Sequence, residues 1–175
     1  RAGNEPFMNG VPYLWSSNNL VSAAVTQAEL YRKCTGDTTY SEMEAALRDW
    51  LLGCNPWGTS MIIGYPRGGI YPTQPHSAFT VEHREISGGL VDGPVYYGIF
   101  KSRAGMGMRK PDQTPDVNKG AAVYHNDIGD YATNEPTMDG TAGLTYFFAS
   151  LEQEGNRQKN LGSGADAKLV RDSEG

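Results

Sequence analysis

Residues 124–135 read Tyr124-His125-Asn126-Asp127-Ile128-Gly129-Asp130-Tyr131-Ala132-Thr133-Asn134-Glu135, a segment with three carboxylates, two tyrosines and a histidine. Acid/base work on a glycosidic bond needs these types: one carboxyl held protonated to donate to the leaving oxygen, and one ionised to activate water. Glu135 stands just ahead of an apolar-periodic run whose first turn suits Pro136. A helix N-terminus favours the carboxylate and works against an acid. An acid role for Glu135 therefore requires burial or a neighbouring carboxylate, for which Asp127 and Asp130 are the candidates. The competing reading is turn and capping chemistry, because Asn and Asp favour such positions for reasons of backbone geometry. On spacing alone, that reading accounts for these residues better than catalysis does.

His76 closes the string Tyr71-Pro72-Thr73-Gln74-Pro75-His76, in which the prolines stiffen the backbone that would present it to a ligand. As a lone histidine it is more simply explained by exposure or a local hydrogen bond. His76, Glu82 and His83 have metal-ligand types, but their spacing matches no strong metal motif, and no metal or cofactor is expected. Trp15, Trp57, Tyr65, Tyr71, Tyr96 and Tyr97 fall in loops or at their edges, where flat rings suit the apolar faces of sugars; core packing is the commoner fate of a tryptophan. Gly-Gly pairs occur without a phosphate-binding pattern, and neither Gly-x-Ser-x-Gly nor Cys-x-x-Cys is present.

The elements that must position these residues are helical. Val21, Ala24, Val25 and Ala28 follow helical spacing in residues 18–32, with Ser17 or Asn18 placed to cap the start. After Gly36-Asp37, Ser41-x-x-Glu44 forms a capping-box pattern ahead of Met43, Ala46, Leu47, Trp50 and Leu51, with Gly53 as a stop. The short connection predicts a helical hairpin. A third helix is predicted over residues 136–153, with Leu144, Phe147, Phe148 and Leu151 on one face. Residues 53–119 are dense in Pro and Gly and read mostly as loop, with a short helical or extended piece at 95–103. Residues 154–175 are polar and without period, which predicts a tail or linker. Three amphipathic helices need something opposite their apolar faces, so the chain reads as a piece of a larger fold.

Composition bounds the partners. The chain has 175 residues, a net charge of −5, 22 Gly and 10 Pro. A net negative charge gives no reason to expect nucleic acid or an anionic membrane as partner. No stretch approaches the ~20 apolar residues of a membrane span, and residues 1–15 lack the basic-then-apolar pattern of a secretion signal. Cys34 and Cys54 are too few for a disulfide scaffold and read as buried small residues rather than a bridge.

Four strings carry a resemblance: Val11-Pro12-Tyr13-Leu14-Trp15-Ser16-Ser17-Asn18-Asn19; Trp50-Leu51-Leu52-Gly53-Cys54-Asn55-Pro56-Trp57-Gly58-Thr59-Ser60-Met61; Gly88-Gly89-Leu90-Val91-Asp92-Gly93-Pro94; and Asp130-Tyr131-Ala132-Thr133-Asn134-Glu135-Pro136-Thr137-Met138-Asp139-Gly140-Thr141-Ala142-Gly143. Over about residues 5–153 they resemble, in family order, the C-terminal part of glycoside hydrolase family 9. The resemblance implies an all-α fold, the C-terminal part of an (α/α)6 barrel with long irregular loops. It places the catalytic-domain portion at residues 1–153 and the tail or linker at 154–175. It also implies inverting hydrolysis of β-1,4-linked glucan in an extracellular or periplasmic setting, with β-glucan or a related oligosaccharide as partner. Structural calcium is possible in the family and is not readable from this chain. By position, Glu135 matches the general acid and His76 the substrate-contacting histidine. Asp127, Asp130, Tyr131 and Trp57 complete the expected substrate-binding set.

This sequence departs from the family pattern in three places. The Asp expected nine residues before the acid is Asn126, so its charge role falls to Asp127 or is lost. The Arg expected two residues after His76 is Ala78, which removes a bidentate hydroxyl contact. No Asp-Ala-Gly-Asp-like string is present, so the water-activating base is expected in an N-terminal half not included here. Asn126 and Ala78 also motivate a second expectation, a carbohydrate-binding or structural derivative of the same fold with impaired catalysis.

Overall fold

The computed structural model describes residue 7, residues 9–102 and residues 106–173, with side chains to residue 159. Three long helices dominate: α1 (Ser17–Thr35), α2 (Ser41–Leu51) and α6 (Met138–Ser173). Between α2 and α6 lie only short pieces: α3 (Ala78–Val81), β1 (Leu90–Val91), β2 (Val95–Tyr96), α4 (Tyr97–Lys101), α5 (Pro115–Asn118), β3 (Ala122–Val123) and β4 (Pro136–Thr137). The piece expected at residues 95–103 is extended at first and then helical; its last residue, 103, lies outside the described residues.

The predicted apolar stripes meet in one core. Val21 and Val25 of α1, Leu47, Trp50 and Leu51 of α2, and Leu144 and Phe147 of α6 are buried together with Met61, Ile62, Ile63, Leu90, Val91 and Tyr124. At the far end of the hairpin, Arg32 on α1 reaches Glu44 on α2 with Nε and Nη2 at 3.0 and 2.8 Å, and Nη1 lies 3.3 Å from Glu154 of α6. That pairing is why the expected capping box does not form. Ser41 is the first residue of α2 rather than its cap, and the Glu44 carboxylate turns to Arg32 instead of back to the helix start.

The start of α1 also differs from expectation, in a way that matters for the site. Neither Ser17 nor Asn18 caps the helix; Ser16 precedes it with φ 54° and donates its hydroxyl to Asp92 Oδ1 at 2.7 Å. Ser17 Oγ donates to the Pro94 carbonyl and Asn18 Nδ2 to the Val91 carbonyl, so the first turn of α1 is tied to residues 91–94. Gly93 allows this approach, with φ +88° and the Asn18 amide packed where a Cβ would stand. Gly93→Ala is expected to destabilise the fold by about 1–3 kcal/mol, read as a lower urea midpoint; unchanged stability would show that this contact yields.

β1 and β4 pair antiparallel, Leu90 opposite Thr137 and Val91 opposite Pro136, and Ile62 bridges Leu90 on the other side. β2 and β3 pair likewise, Val95 opposite Val123. The strand at Pro136-Thr137 corrects the expected helix start: Pro136 pairs with Val91, and α6 begins at Met138. Glu135 thus ends a loop at a strand rather than opening a helix. Its partner strand lies far away in sequence, which is why helical periodicity overran it. Gly143 lets α6 approach α1, because a Cβ there would meet the Ser22 hydroxyl.

At its other end α6 continues to Ser173, through the polar segment read as a tail or linker. That is a difference in local conformation, and linkers are also built from helix. Cys34 and Cys54 are unpaired, as expected, but exposed rather than buried. The apolar face of α6 is only partly covered. Leu144, Phe148 and Leu151 with Leu52, Ile62 and Tyr65 border a groove of about 770 Å³.

Candidate active site

The loop leading to Glu135 is held by its own side chains. Asp130 is fully buried: Oδ1 accepts the N–H groups of Ala132 and Thr133 at 2.9 and 3.0 Å, and Oδ2 accepts the Thr133 hydroxyl at 2.7 Å and His125 Nδ1–H at 2.9 Å. Asp127, also buried, accepts from the backbone of Gly129 at 2.7 Å, Arg109 at 3.0 Å and Lys110 at 2.8 Å. Burial pushes the Asp127 carboxyl up, but those backbone donors and the Lys110 charge together hold it below the usual carboxylate range.

The sign of that shift gives a prediction. A carboxyl depressed in the folded state contributes stability above its unfolded pKa of about 3.9 and loses it as pH falls through the lower folded value. Asp127→Asn is therefore expected to lower Tm at pH 7 and to converge with the parent in strong acid. A Tm difference that stays constant with pH would contradict this.

A second set of bonds carries His76 to the same place. Asn126 Oδ1 accepts the N–H groups of Thr73 and Gln74 at 3.0 and 2.9 Å, and its Nδ2 donates to the Thr73 hydroxyl at 3.2 Å. Asn134 Nδ2 donates to the Gln74 carbonyl at 2.7 Å while its Oδ1 accepts the Tyr124 hydroxyl at 3.0 Å. His76 N–H donates to the Asn134 carbonyl at 2.9 Å, and His76 Nδ1 stands 2.6 Å from the Ile128 carbonyl. A carbonyl only accepts, so Nδ1 carries the hydrogen and Nε2 is the acceptor of the neutral ring.

These bonds bring Glu135, His76 and Tyr131 to the wall of one open cleft of about 1480 Å³, with Phe79 and Met138 at its apolar side. The volume exceeds the ~300–1,000 Å³ of a pocket for a compact ligand, as a groove for an extended chain requires. The Tyr131 ring lies 5.9 Å from the His76 ring and 6.1 Å from that of Trp15, which is 42% exposed. Ala78 opens α3 on the same wall, so the position where the family pattern expects Arg faces the cleft without a charge.

Three of the expected substrate contacts stand elsewhere. Trp57 is in the core, its Nε1–H on Asn118 Oδ1 at 2.8 Å and its ring edge-on to Trp50 and Tyr124. Asp130 spends its oxygens inside the loop and Asp127 spends most of its on the backbone of Arg109 and Lys110; neither lines the cleft. Neither is the carboxylate set against Glu135. That place belongs to Asp92, which in sequence is one residue of a Gly/Pro turn string. Its N–H donates to the Glu135 carbonyl at 2.9 Å, and its side chain is 1% exposed. No local pattern marks it, because its burial comes from the pairing of β1 with β4. Among the described residues, no three His, Cys, Asp or Glu side chains converge as metal ligands, and no helix is long and apolar enough to cross a membrane.

Residues 4–148 match Glycosyl hydrolase family 9. The chain belongs to that family. It is 31% identical over 119 residues to Endoglucanase 5 of Arabidopsis thaliana, a match covering 59% of this chain and 16% of that protein. A crystal structure of a Zn-binding triple mutant of the family 9 endoglucanase J30 matches with a TM-score of 0.62 at 22% identity, over 82% of this chain and 26% of that one. The cellulase Cel9M of C. cellulolyticium, in complex with cellobiose, matches with a TM-score of 0.53 at 21% identity, over 79% of this chain and 31% of that one. The chain thus spans 16% of the curated relative it matches.

Proposed function

We propose that this chain supplies the acid side of the active site of an inverting hydrolase of β-1,4-linked glucan, built on the C-terminal part of an (α/α)6 barrel and acting outside the cell or in the periplasm. Glu135 protonates the leaving oxygen. His76 and Tyr131 hold the sugar ring that carries it: the ring offers its hydroxyls to His76 Nε2 and an apolar face to Tyr131. Asp127, Asp130 and Trp57 act one step back, fixing the loop and the core on which it rests. The base that activates water comes from a part of the family's domain outside these 175 residues. In an inverting pair the two carboxyls stand about 6.5–9.5 Å apart, leaving room for that water.

The observation that carries this reading is the meeting of Glu135 with His76 and Tyr131 on the wall of a large open cleft. The substrate class rests on the family and on its relatives, an endoglucanase and a cellulase holding cellobiose. Its test is a titration of the isotopically labelled chain with cellotetraose, followed by amide and side-chain NMR. Shifts confined to His76, Tyr131, Glu135 and their loop neighbours are expected. No saturable shifts, or shifts confined to another surface, would overturn the assignment.

A further inference from the structure

Asp92 follows β1 by one residue, and continuing the β1–β4 register places it opposite Glu135. Residues directly opposite in an antiparallel pair have Cβ atoms about 4.5–5.5 Å apart. Asp92 Oδ1 accepts the Ser16 hydroxyl at 2.7 Å, while Oδ2 is buried without a hydrogen-bond partner. An ionised carboxyl with one oxygen desolvated and unbonded is unfavourable, and a proton relieves it. Burial pushes the Asp92 carboxyl up to about 7; the Ser16 bond opposes this, and the charges of Glu135, Asp139 and Asp130 add to it. Asp130 is committed to its loop, and Asp139 sits at the exposed start of α6 bonded to Asn19 Nδ2. Of these three anionic neighbours, Glu135 has the largest influence on Asp92 and is the one that lines the cleft.

We propose that Asp92 is a positioning residue that shares one proton with Glu135, so that the pair rather than Glu135 alone sets the upper pH limit of the acid step. The proposal rests on Glu135 being the acid. Between its two ionisations the pair carries one proton, held on either Asp92 or Glu135. The form with the proton on Glu135 and the charge on Asp92 is the one that donates to the leaving oxygen. Only when the second proton leaves is that form lost, so the alkaline limb belongs to the pair.

The test is a carboxyl-carbon NMR titration of the 175-residue chain, which needs no turnover. Replacing Glu135 by Gln removes a negative charge and is expected to lower the Asp92 midpoint by about 1 pH unit. Ser16→Ala removes a bond to the charged form and is expected to move the same midpoint up. In the parent, the Glu135 resonance should show a second inflection at the Asp92 midpoint. An Asp92 midpoint unmoved by Glu135→Gln overturns the pair, whatever Ser16→Ala does. Turnover reads out the acid assignment separately. Loss of turnover in E135Q with uncoupled carboxyls removes Asp92 alone, whereas coupled carboxyls with turnover retained in E135Q remove the acid role and the pair's function with it.

Discussion

In the complete catalytic domain that contains this chain, Glu135→Gln is expected to lower turnover of cello-oligosaccharides by about 10²–10⁴-fold while leaving their affinity unchanged. Gln has the shape of a protonated Glu and keeps its place beside His76 and Tyr131, but it has no proton to give. The loss corresponds to about 3–5 kcal/mol of stabilisation present in the transition state alone. Leaving groups separate this from a general disturbance of the cleft. An aryl glycoside whose phenol departs as a stable anion needs little protonation, so its turnover should fall much less than that of cellotetraose. The alkaline limb of the pH profile should vanish with the acid. Equal losses on both substrates, or a loss of affinity matching the loss of turnover, would make Glu135 a binding residue instead.

The sequence was most legible where the chain is governed by neighbours three and four residues away. The stripes Val21, Val25 and Ala28 and Leu47, Trp50 and Leu51 are apolar at helical spacing, and each is buried in the core or at its edge as that spacing requires. Legibility failed where long-range pairing decided the outcome. Pro136 suits a helix start, yet Val91 takes it into a strand. Ser41 and Glu44 have the spacing of a capping box, yet Arg32 claims the carboxylate. Trp57 reads as a loop ring suited to sugar, yet Asn118 and the rings of Trp50 and Tyr124 close around it.

The same division runs through the site. Glu135, His76 and Tyr131 were legible by resemblance, and the structure brings them to one cleft. Asp127 and Asp130 were legible as turn residues, and the structure gives them turn geometry at both carboxylates. Asn126 looked like a lost charge. Its Oδ1 instead accepts the two backbone N–H groups that anchor the His76 loop, a task that calls for an acceptor and not for a charge. Asp92 was illegible, since only the register of β1 against β4 sets it opposite Glu135.

Asp130→Ala is expected to be the most damaging single change in the loop, costing about 3–5 kcal/mol out of the ~5–15 kcal/mol that holds a domain together. The side chain is fully buried, and its removal strands four donors at once: the N–H groups of Ala132 and Thr133, the Thr133 hydroxyl and His125 Nδ1–H. Each buried donor left without a partner costs about 1–3 kcal/mol, with partial relief as water enters or the loop relaxes. Asp130→Asn isolates the charge from the bonds. The amide oxygen can still take the two backbone donors, and the amide nitrogen can donate to the Thr133 hydroxyl oxygen. Its cost should therefore be about 1–2 kcal/mol. Urea unfolding at pH 7 measures both variants, and cellotetraose titration measures what the loop carries. Because Asn134 and Glu135 follow Asp130 by four and five residues, relaxation in Asp130→Ala should also weaken binding at His76 and Tyr131. An Asp130→Ala protein as stable as Asp130→Asn, with affinity intact, would mean that the loop is held by Asp127 and Asn134 and that the Asp130 bonds are redundant.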